Sequence, residues 1–337
     1  MSESVLEVRG LTKRFPVGGA LHRSQVHAVE DVTFALRPGR VTALAGESGS
    51  GKSTVARLLV RLYEPTEGSV VFEGKDIARE HRKRAVLAYR SQVQMIFQDP
   101  FGSLNPVKTV RHHIERPLRI HGLARGDAVE QRVLELLETV GLVPARQIAD
   151  KYPHEISGGQ RQRVAIARAL AVEPRVVIAD EPISMLDVSI RIGILNLMAD
   201  LKDKLGVSFL YVTHDLGSAR YVADDLLVMY AGHIVEQGPV DSVLEEPLHP
   251  YTQLLLASVP DAHIGERERI EIHRGGQTAA VDPEPGCRFV DRCPLAIDVC
   301  RSVTPPLVEA RPGHAARCHV TAPSPDLREE PHVESIR

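Results

Sequence analysis

The sequence has no excess of positive charge. Its 41 Lys and Arg residues are outweighed by 44 Asp and Glu, a net charge of −3 over 337 residues, with a pI near 6.6. No basic field therefore marks nucleic acid as a partner. No stretch approaches the run of about 18 apolar residues that a membrane-spanning helix requires. The opening, Met1 to Val8, carries acids where a secretory leader needs positive charge followed by an apolar run. The chain is therefore expected to be cytoplasmic and not to cross a membrane by itself. Cysteine is scarce: four residues, all in the last fifth of the chain, which in a reducing compartment points away from disulfides and toward metal binding or unligated thiols. No internal repeat is visible. What remains, 43% hydrophobic and 25% charged, is an ordinary composition, long enough for one large domain with its own core plus an appendage.

Up to about residue 245, short β-rich runs alternate with helical patterns, as a parallel α/β sheet requires. Val41 to Ala45, Val176 to Ala179 and Ser208 to Thr213 read as buried strands; Lys52 to Leu62, Ser157 to Ala171 and Val188 to Leu205 read as helices. Between Asp99 and Asp150 the strands disappear, and a Pro-punctuated loop leads into helical segments, so a helical subdomain is expected over about 99–156. After Leu226 to Tyr230, the turn Ala231-Gly232 and the run His233 to Glu236 predict a hairpin. Glu246-Pro-Leu-His-Pro250 marks a boundary, so 246–286 is expected to be a linker, 287–320 a cysteine-rich region, and 321–337 a disordered tail.

The strongest local pattern is Gly46-Glu47-Ser48-Gly49-Ser50-Gly51-Lys52-Ser53, followed by Thr54, between a predicted strand and a predicted helix. It fits the phosphate-binding pattern G-x-x-x-x-G-K-[ST]. Its glycines let backbone N–H groups turn inward around phosphates, and the helix that follows points its positive end at them. Lys52 supplies a compact charge, and Ser53 a ligand for Mg²⁺. Farther on, Arg175-Val-Val-Ile-Ala-Asp180-Glu181 is an apolar strand ending in two acids. Beside a phosphate loop, Asp180 is placed to hold Mg²⁺ through water and Glu181 to act as general base toward an attacking water.

Ile156-Ser157-Gly158-Gly159-Gln160, continued by Arg161-Gln-Arg-Val-Ala-Ile-Ala-Arg168, resembles the signature of ABC ATPases, with Ile156 where Leu is usual. The resemblance implies a P-loop NTPase core with an inserted helical subdomain, an N-terminal β-rich part and a small cysteine-containing C-terminal appendage. It also implies that the Ser157 to Gln160 helix end serves the γ-phosphate of a nucleotide held by the opposite subunit of a head-to-tail ATP sandwich. Further matches follow in the family's order. Gln98 stands where the family has its Mg²⁺- and water-sensing glutamine, His214 where it has its switch histidine, and Asp187 in the loop that reaches across the dimer, with Met185 where Ala is commoner. Leu11-Thr-Lys-Arg-Phe15 looks like the segment whose aromatic stacks on adenine. A strand-end core aromatic is the alternative for Phe15.

Phe97-Gln-Asp-Pro-Phe-Gly-Ser-Leu-Asn-Pro106, His249-Pro-Tyr-Thr-Gln-Leu-Leu and the cysteine block resemble the oligopeptide/dipeptide importer ATPases. Membership implies a sister ATPase subunit, favoured over a second copy, two transmembrane permease subunits and, indirectly, an extracytoplasmic substrate-binding protein. The chain would sit peripherally on the cytoplasmic face of the membrane, with Phe101, Leu104 and Pro106 as the expected dock for a permease helix; internal turn chemistry is their alternative. A nickel importer could use the same ATPase type. A soluble ABC ATPase acting on nucleic acid or ribosomes would need tandem cassettes or a long insertion, and a regulatory module would lack Glu181 or His214.

Cys287, Cys293, Cys300 and Cys318 have five, six and seventeen residues between them. Four thiolates satisfy either Zn²⁺ or a [4Fe–4S] cluster. The spacing lacks paired C-x-x-C knuckles, and the cysteine blocks of the peptide-importer ATPases imply the cluster, with Zn²⁺ as the alternative.

Overall fold

A computed structural model describes residues 4–18, 24–257 and 281–324, apart from the side chains of Pro100 and Phe101. Its strands are β1 (Leu6–Val17), β2 (Ser24–Leu36), β3 (Val41–Ala45), β4 (Glu67–Phe72), β5 (Lys75–Asp76), β6 (Val93–Ile96), β7 (Val176–Asp180), β8 (Ser208–Thr213), β9 (Asp225–Tyr230), β10 (His233–Pro239), β11 (Val308–Arg311) and β12 (His314–Ala316). They form two sheets, a four-stranded one in the order β2-β1-β4-β5 and an eight-stranded one in the order β11-β12-β10-β9-β3-β8-β7-β6.

The centre of the larger sheet is parallel: β6 with β7, β7 with β8, β8 with β3, and β3 with β9. These strands are short, apolar and buried on both faces, because helices cover one side and the smaller sheet the other. The side chains alternate accordingly. Val41, Ala43, Val177 and Ala179 enter the core shared with the helices, while Leu44, Val176 and Ile178 enter the core shared with β1, β2 and β4.

The helices are α1 (Lys52–Leu59), α2 (Lys83–Gln92), α3 (Pro100–Ser103), α4 (Val110–Ile120), α5 (Asp127–Thr139), α6 (Ala145–Ala149), α7 (Gly158–Leu170), α8 (Val188–Leu205), α9 (Leu216–Val222), α10 (Val240–Glu245) and α11 (Pro250–Ala257). Between Asp99 and Glu155 the chain is helical without strands, with Val110, Ile114, Leu118, Val133 and Leu137 turned into the common core. Leu104 is buried there too, at 2% exposure. It is a core residue rather than part of a permease dock, whereas Pro106 and Val107 are exposed. The side chain of Phe101 lies outside the described residues.

The described flanks of the expected linker pack onto the fold. Residues 246–257 are built into the fold: buried Glu236 accepts hydrogen bonds from the backbone N–H of Leu248 (2.7 Å) and His249 (2.9 Å), and α11 follows at once. At the other flank, Val281 bridges Val26 of β2, and Asp282 exchanges hydrogen bonds with Gln25. Residues 258–280 lie outside the described set.

The cysteine-rich appendage is joined to the main sheet. Strands β11 and β12 extend the main sheet through β10. Glu236 accepts a third bond from His314 Nε2 at 2.7 Å, and Arg317 donates to Ile234 O, Pro305 O and Asp31 Oδ2. Ala322, placed by sequence in a disordered tail, is buried and bridges Cys318. Residues 325–337 are outside the described set.

Candidate active site

The carboxyl ends of β3, β6, β7 and β8 open on one cleft of about 1310 Å³. A crevice beyond the carboxyl ends of parallel strands is where α/β sheets bind ligands. From β3 the chain turns into the phosphate loop. Gly46 (φ +152°) and Gly51 (φ +108°) are required there on two counts. A Cβ on Gly46 would stand 2.2 Å from Met229 O, and one on Gly51 would stand 2.2 Å from Ala28 O. The loop is thus wedged between β9 and β2, and only glycine fits.

Helix α1 starts at Lys52 with no side-chain cap, so its first N–H groups face the cleft. Lys52 is 5% exposed, and its Nζ donates to Gly46 O (2.7 Å) and Glu47 O (2.8 Å) of its own loop. Burial pulls its pKa below the ordinary lysine value, and the nearby charges of Glu181, Asp180 and Glu47 oppose that shift.

Ser53 Oγ donates to Asp180 Oδ1 at 3.1 Å. Burial raises the Asp180 pKa above the usual carboxylate range, and a divalent cation would relieve that cost. One carboxylate, one hydroxyl and the oxygens of a nucleotide are the hard donor set that Mg²⁺ prefers, so these residues fit the ion. Next to them, Gln98 Nε2 donates to Glu181 Oε2 at 2.9 Å, and His214 Nδ1 stands 3.2 Å from Glu181 Oε1. Glu181 adopts φ +46°, a left-handed conformation that costs on the order of 1 kcal/mol for a residue with a side chain. Its backbone N–H is tied to Val212 O of β8, which holds the carboxylate between Gln98 and His214.

The structure thus gathers Glu47, Ser48, Gly49, Gly51 to Thr54, Gln98, Glu181 and His214 around one cleft, with Asp180 beneath it. It leaves other expected residues elsewhere. Ser157 caps α7, its Oγ accepting from Gln160 N while Gln160 Oε1 accepts from Ser157 N. Neither these residues nor Gly158, Gly159 and exposed Asp187 line the cleft. Gly159 also has a packing reason, since a Cβ there would meet Ile190 Cγ2 at 2.6 Å. Phe15 packs edge-on against Tyr63, with centroids 5.4 Å apart, and is absent from the cleft wall. Its cross-strand partner Val26, with His27, stands there instead. Phe15 is half-buried, with Lys13 Nζ 5.1 Å from its ring centroid.

Sequence reasoning missed the far wall. Tyr251 of α11 accepts a hydrogen bond from Glu47 N at 2.9 Å, and Arg292 binds both carboxylate oxygens of Glu47 at 3.2 Å. The sequence signal is the His249-Pro-Tyr251 run, a family marker that by itself gives no reason for the tyrosine.

The four thiols stand in one another's electrostatic field. Burial first, then Cys300, Cys293 and Cys318, push the Cys287 thiol up to about 11, and burial also raises Cys293. Among the described residues, however, no three His, Cys, Asp or Glu side chains are arranged to hold a metal ion. The expected iron–sulfur or zinc staple therefore has no ready-made ligand set here, and the region is ordered by strand pairing and ion pairs instead.

The sequence matches the family model of the ABC transporter over residues 29–184, and that of the oligopeptide/dipeptide transporter C-terminal region over residues 235–300. It is 43% identical over 324 residues to the oligopeptide transport ATP-binding protein AppF of Bacillus subtilis (strain 168), covering 94% of this chain and 98% of that one. It is 49% identical over 263 residues to the glutathione import ATP-binding protein GsiA of Salmonella typhimurium, covering 77% of this chain and 42% of that one. Among solved structures, a dimeric post-hydrolysis state of the ATP-binding cassette MJ0796, bound to ADP and Pi, superposes with a TM-score of 0.62 at 29% identity, covering 70% of this chain and 98% of that one. The chain belongs to the ABC transporter ATP-binding family, in its oligopeptide/dipeptide branch.

Proposed function

We propose that this chain is the ATP-hydrolysing subunit of an importer of short peptides. The observation that carries the reading is the meeting of Lys52, the Ser53–Asp180 pair and the Gln98–Glu181–His214 group at the carboxyl ends of parallel strands. Lys52 exchanges its bonds to loop carbonyls for the β and γ phosphates. Ser53 and Asp180 would hold Mg²⁺, which would neutralise charge on the phosphoryl oxygens. Glu181 takes the proton of the attacking water, Gln98 orients that water, and His214 supports the carboxylate and the γ-phosphate.

The N-terminus of α7, with Ser157, Gly158, Gly159 and Gln160, serves the partner's nucleotide, because it lies away from this chain's own cleft. ATP then joins two cassettes, and hydrolysis releases them. Asp187 and exposed Met185 lie on the same reach toward the partner. A sister ATPase and two permease subunits complete the assembly, with this chain on the cytoplasmic membrane face and a substrate-binding protein on the opposite side. Among the described residues no helix is long and apolar enough to cross the membrane. The nucleotide-binding domain spans 1–245, the helical subdomain about 99–156 and the cysteine-rich region 287–320. The finer reading of that region, a [4Fe–4S] cluster on its four cysteines, rests only on their resemblance to the cysteine block of the peptide-importer ATPases, since the described thiols form no ready-made ligand set. Protein purified without oxygen should then be brown and lose its iron on Cys300→Ser; colourless, iron-free protein removes the cluster.

Peptide import is tested in proteoliposomes holding the whole assembly. Labelled tripeptide should accumulate only with MgATP inside the compartment that this chain faces. ATP hydrolysis without stimulation by binding protein and peptide would contradict peptide as the cargo.

A further inference from the structure

We infer that Arg292, in the middle of the cysteine-rich region, is a positioning residue for the phosphate loop, so that this region is a working wall of the nucleotide site. The inference rests on the ATP reading above and adds a part that the nucleotide motifs do not contain.

Arg292 ends a short 3-10 turn, Val290–Arg292, between Cys287 and Cys293. Its guanidinium spans both carboxylate oxygens of Glu47 at 3.2 Å, with side-chain exposures of 13% for Arg292 and 31% for Glu47. A planar fork facing a carboxylate in this way fixes direction as well as distance. The same guanidinium lies over the rings of Tyr230 (5.7 Å) and Phe289 (5.6 Å). Those rings pack with Tyr251, at centroid distances of 4.5 Å from Tyr230 and 5.6 Å from Phe289. Phe289 is 1% exposed, so the platform under Arg292 is fixed.

Glu47 is the first residue after Gly46 in the phosphate loop. Its carboxylate is held by Arg292, its N–H by Tyr251, and its carbonyl by Lys52 Nζ. The loop is therefore clamped on its outer side by two residues that follow the last strand of the parallel sheet. Arg288 and Asp291 of the same region, and Val281 just before it, line the cleft beside it. Without the fork, the 46–49 stretch gains freedom, and the N–H cradle for the phosphates must be ordered on binding.

The test is a double-mutant cycle on MgATP affinity with the purified full-length chain, using Arg292→Ala, Glu47→Gln and the pair. Each single variant should raise Kd about fivefold, and the double variant should be no worse than either single, because one interaction is lost in all three. Arg292→Lys, which keeps the charge without the fork, should fall between parent and Arg292→Ala. The thermal midpoint of the nucleotide-free protein separates this from general unfolding, and if Arg292→Ala does not fold, Arg292→Lys with Glu47→Gln gives the same cycle. Affinities within about twofold of the parent, or additive single effects, overturn the inference. A parent chain that does not bind MgATP at all removes the ATP reading and this inference together.

Discussion

The phosphate cleft and the cysteine-rich region differ in what holds them. The cleft is built from loops at the ends of neighbouring strands, each carrying its functional residue within a few positions of the strand: Gly46 after β3, Gln98 after β6, Glu181 after β7 and His214 after β8. The cysteine-rich region is held by contacts across long stretches of chain: His314 to Glu236, Arg317 to Asp31 and Arg292 to Glu47. A local site is fixed by the sheet beneath it. A distant one depends on individual buried charges and fails when one is removed.

The largest effect is therefore expected at Glu236, which is fully buried and accepts from Leu248 N, His249 N and His314 Nε2. Glu236→Ala leaves those donors unpaired and should cost about 3 kcal/mol. Denaturant unfolding should show the loss, with protease cutting near β12 before the parallel sheet is attacked. Equal protection in both regions would erase the contrast between them.

A smaller change is expected within the cleft. Lys52→Ala should weaken MgATP binding about 30-fold, roughly 2 kcal/mol, with little loss of fold, since Lys52 bonds mainly to its own loop. Isothermal titration checks this, and parental affinity would remove Lys52 from phosphate binding.

Acid should separate the regions further. Burial pushes His233 and His249 down to about 3, against about 6.5 for the unfolded chain. The unfolded state therefore binds more protons between these values. The stabilisation is complete above about pH 6.5 and is lost as pH falls, at about 1.4 kcal/mol per pH unit for each histidine. His233→Leu should flatten the measured slope between pH 6.5 and 5 by that amount; an unchanged slope would mean that His233 is solvated.

The smallest effect is expected at Ser157. Ser157→Ala removes the cap of α7 and should cost about 1 kcal/mol in thermal unfolding while leaving MgATP affinity of the isolated chain unchanged. Weakened affinity in the monomer would mean that Ser157 serves its own chain's cleft.

This contrast also explains what the sequence could tell. Gly46 to Ser53 and Asp180-Glu181 are legible because a strand, a turn and a helix start occupy adjacent residues, so spacing reports geometry. The strands Val41–Ala45, Ser208–Thr213 and Val176–Asp180 are legible because burial on both faces makes them continuous apolar runs. Strands β11 and β12 are not: Val308–Arg311 and His314–Ala316 are short and polar in part, and β12 joins the sheet by pairing with distant β10, Ala316 opposite Glu236. Glu246 to Pro250 looks like a boundary because prolines usually mark one, but here buried Glu236 supplies the partners that the turn needs. Leu104 looks like surface because its loop is rich in turn residues, while its own side chain points into the helical core. Phe15 shows the limit of position alone, because a strand-end aromatic can turn to Tyr63 as readily as to a ligand.

Whether Glu181 removes the proton from the water that attacks ATP is read from phosphate release by Glu181→Gln in the assembled transporter under saturating MgATP. ATP should be bound and retained with parental affinity while turnover falls at least about 100-fold, because the amide keeps the bond to Gln98 but accepts no proton. Phosphate release at the parental rate would contradict that role.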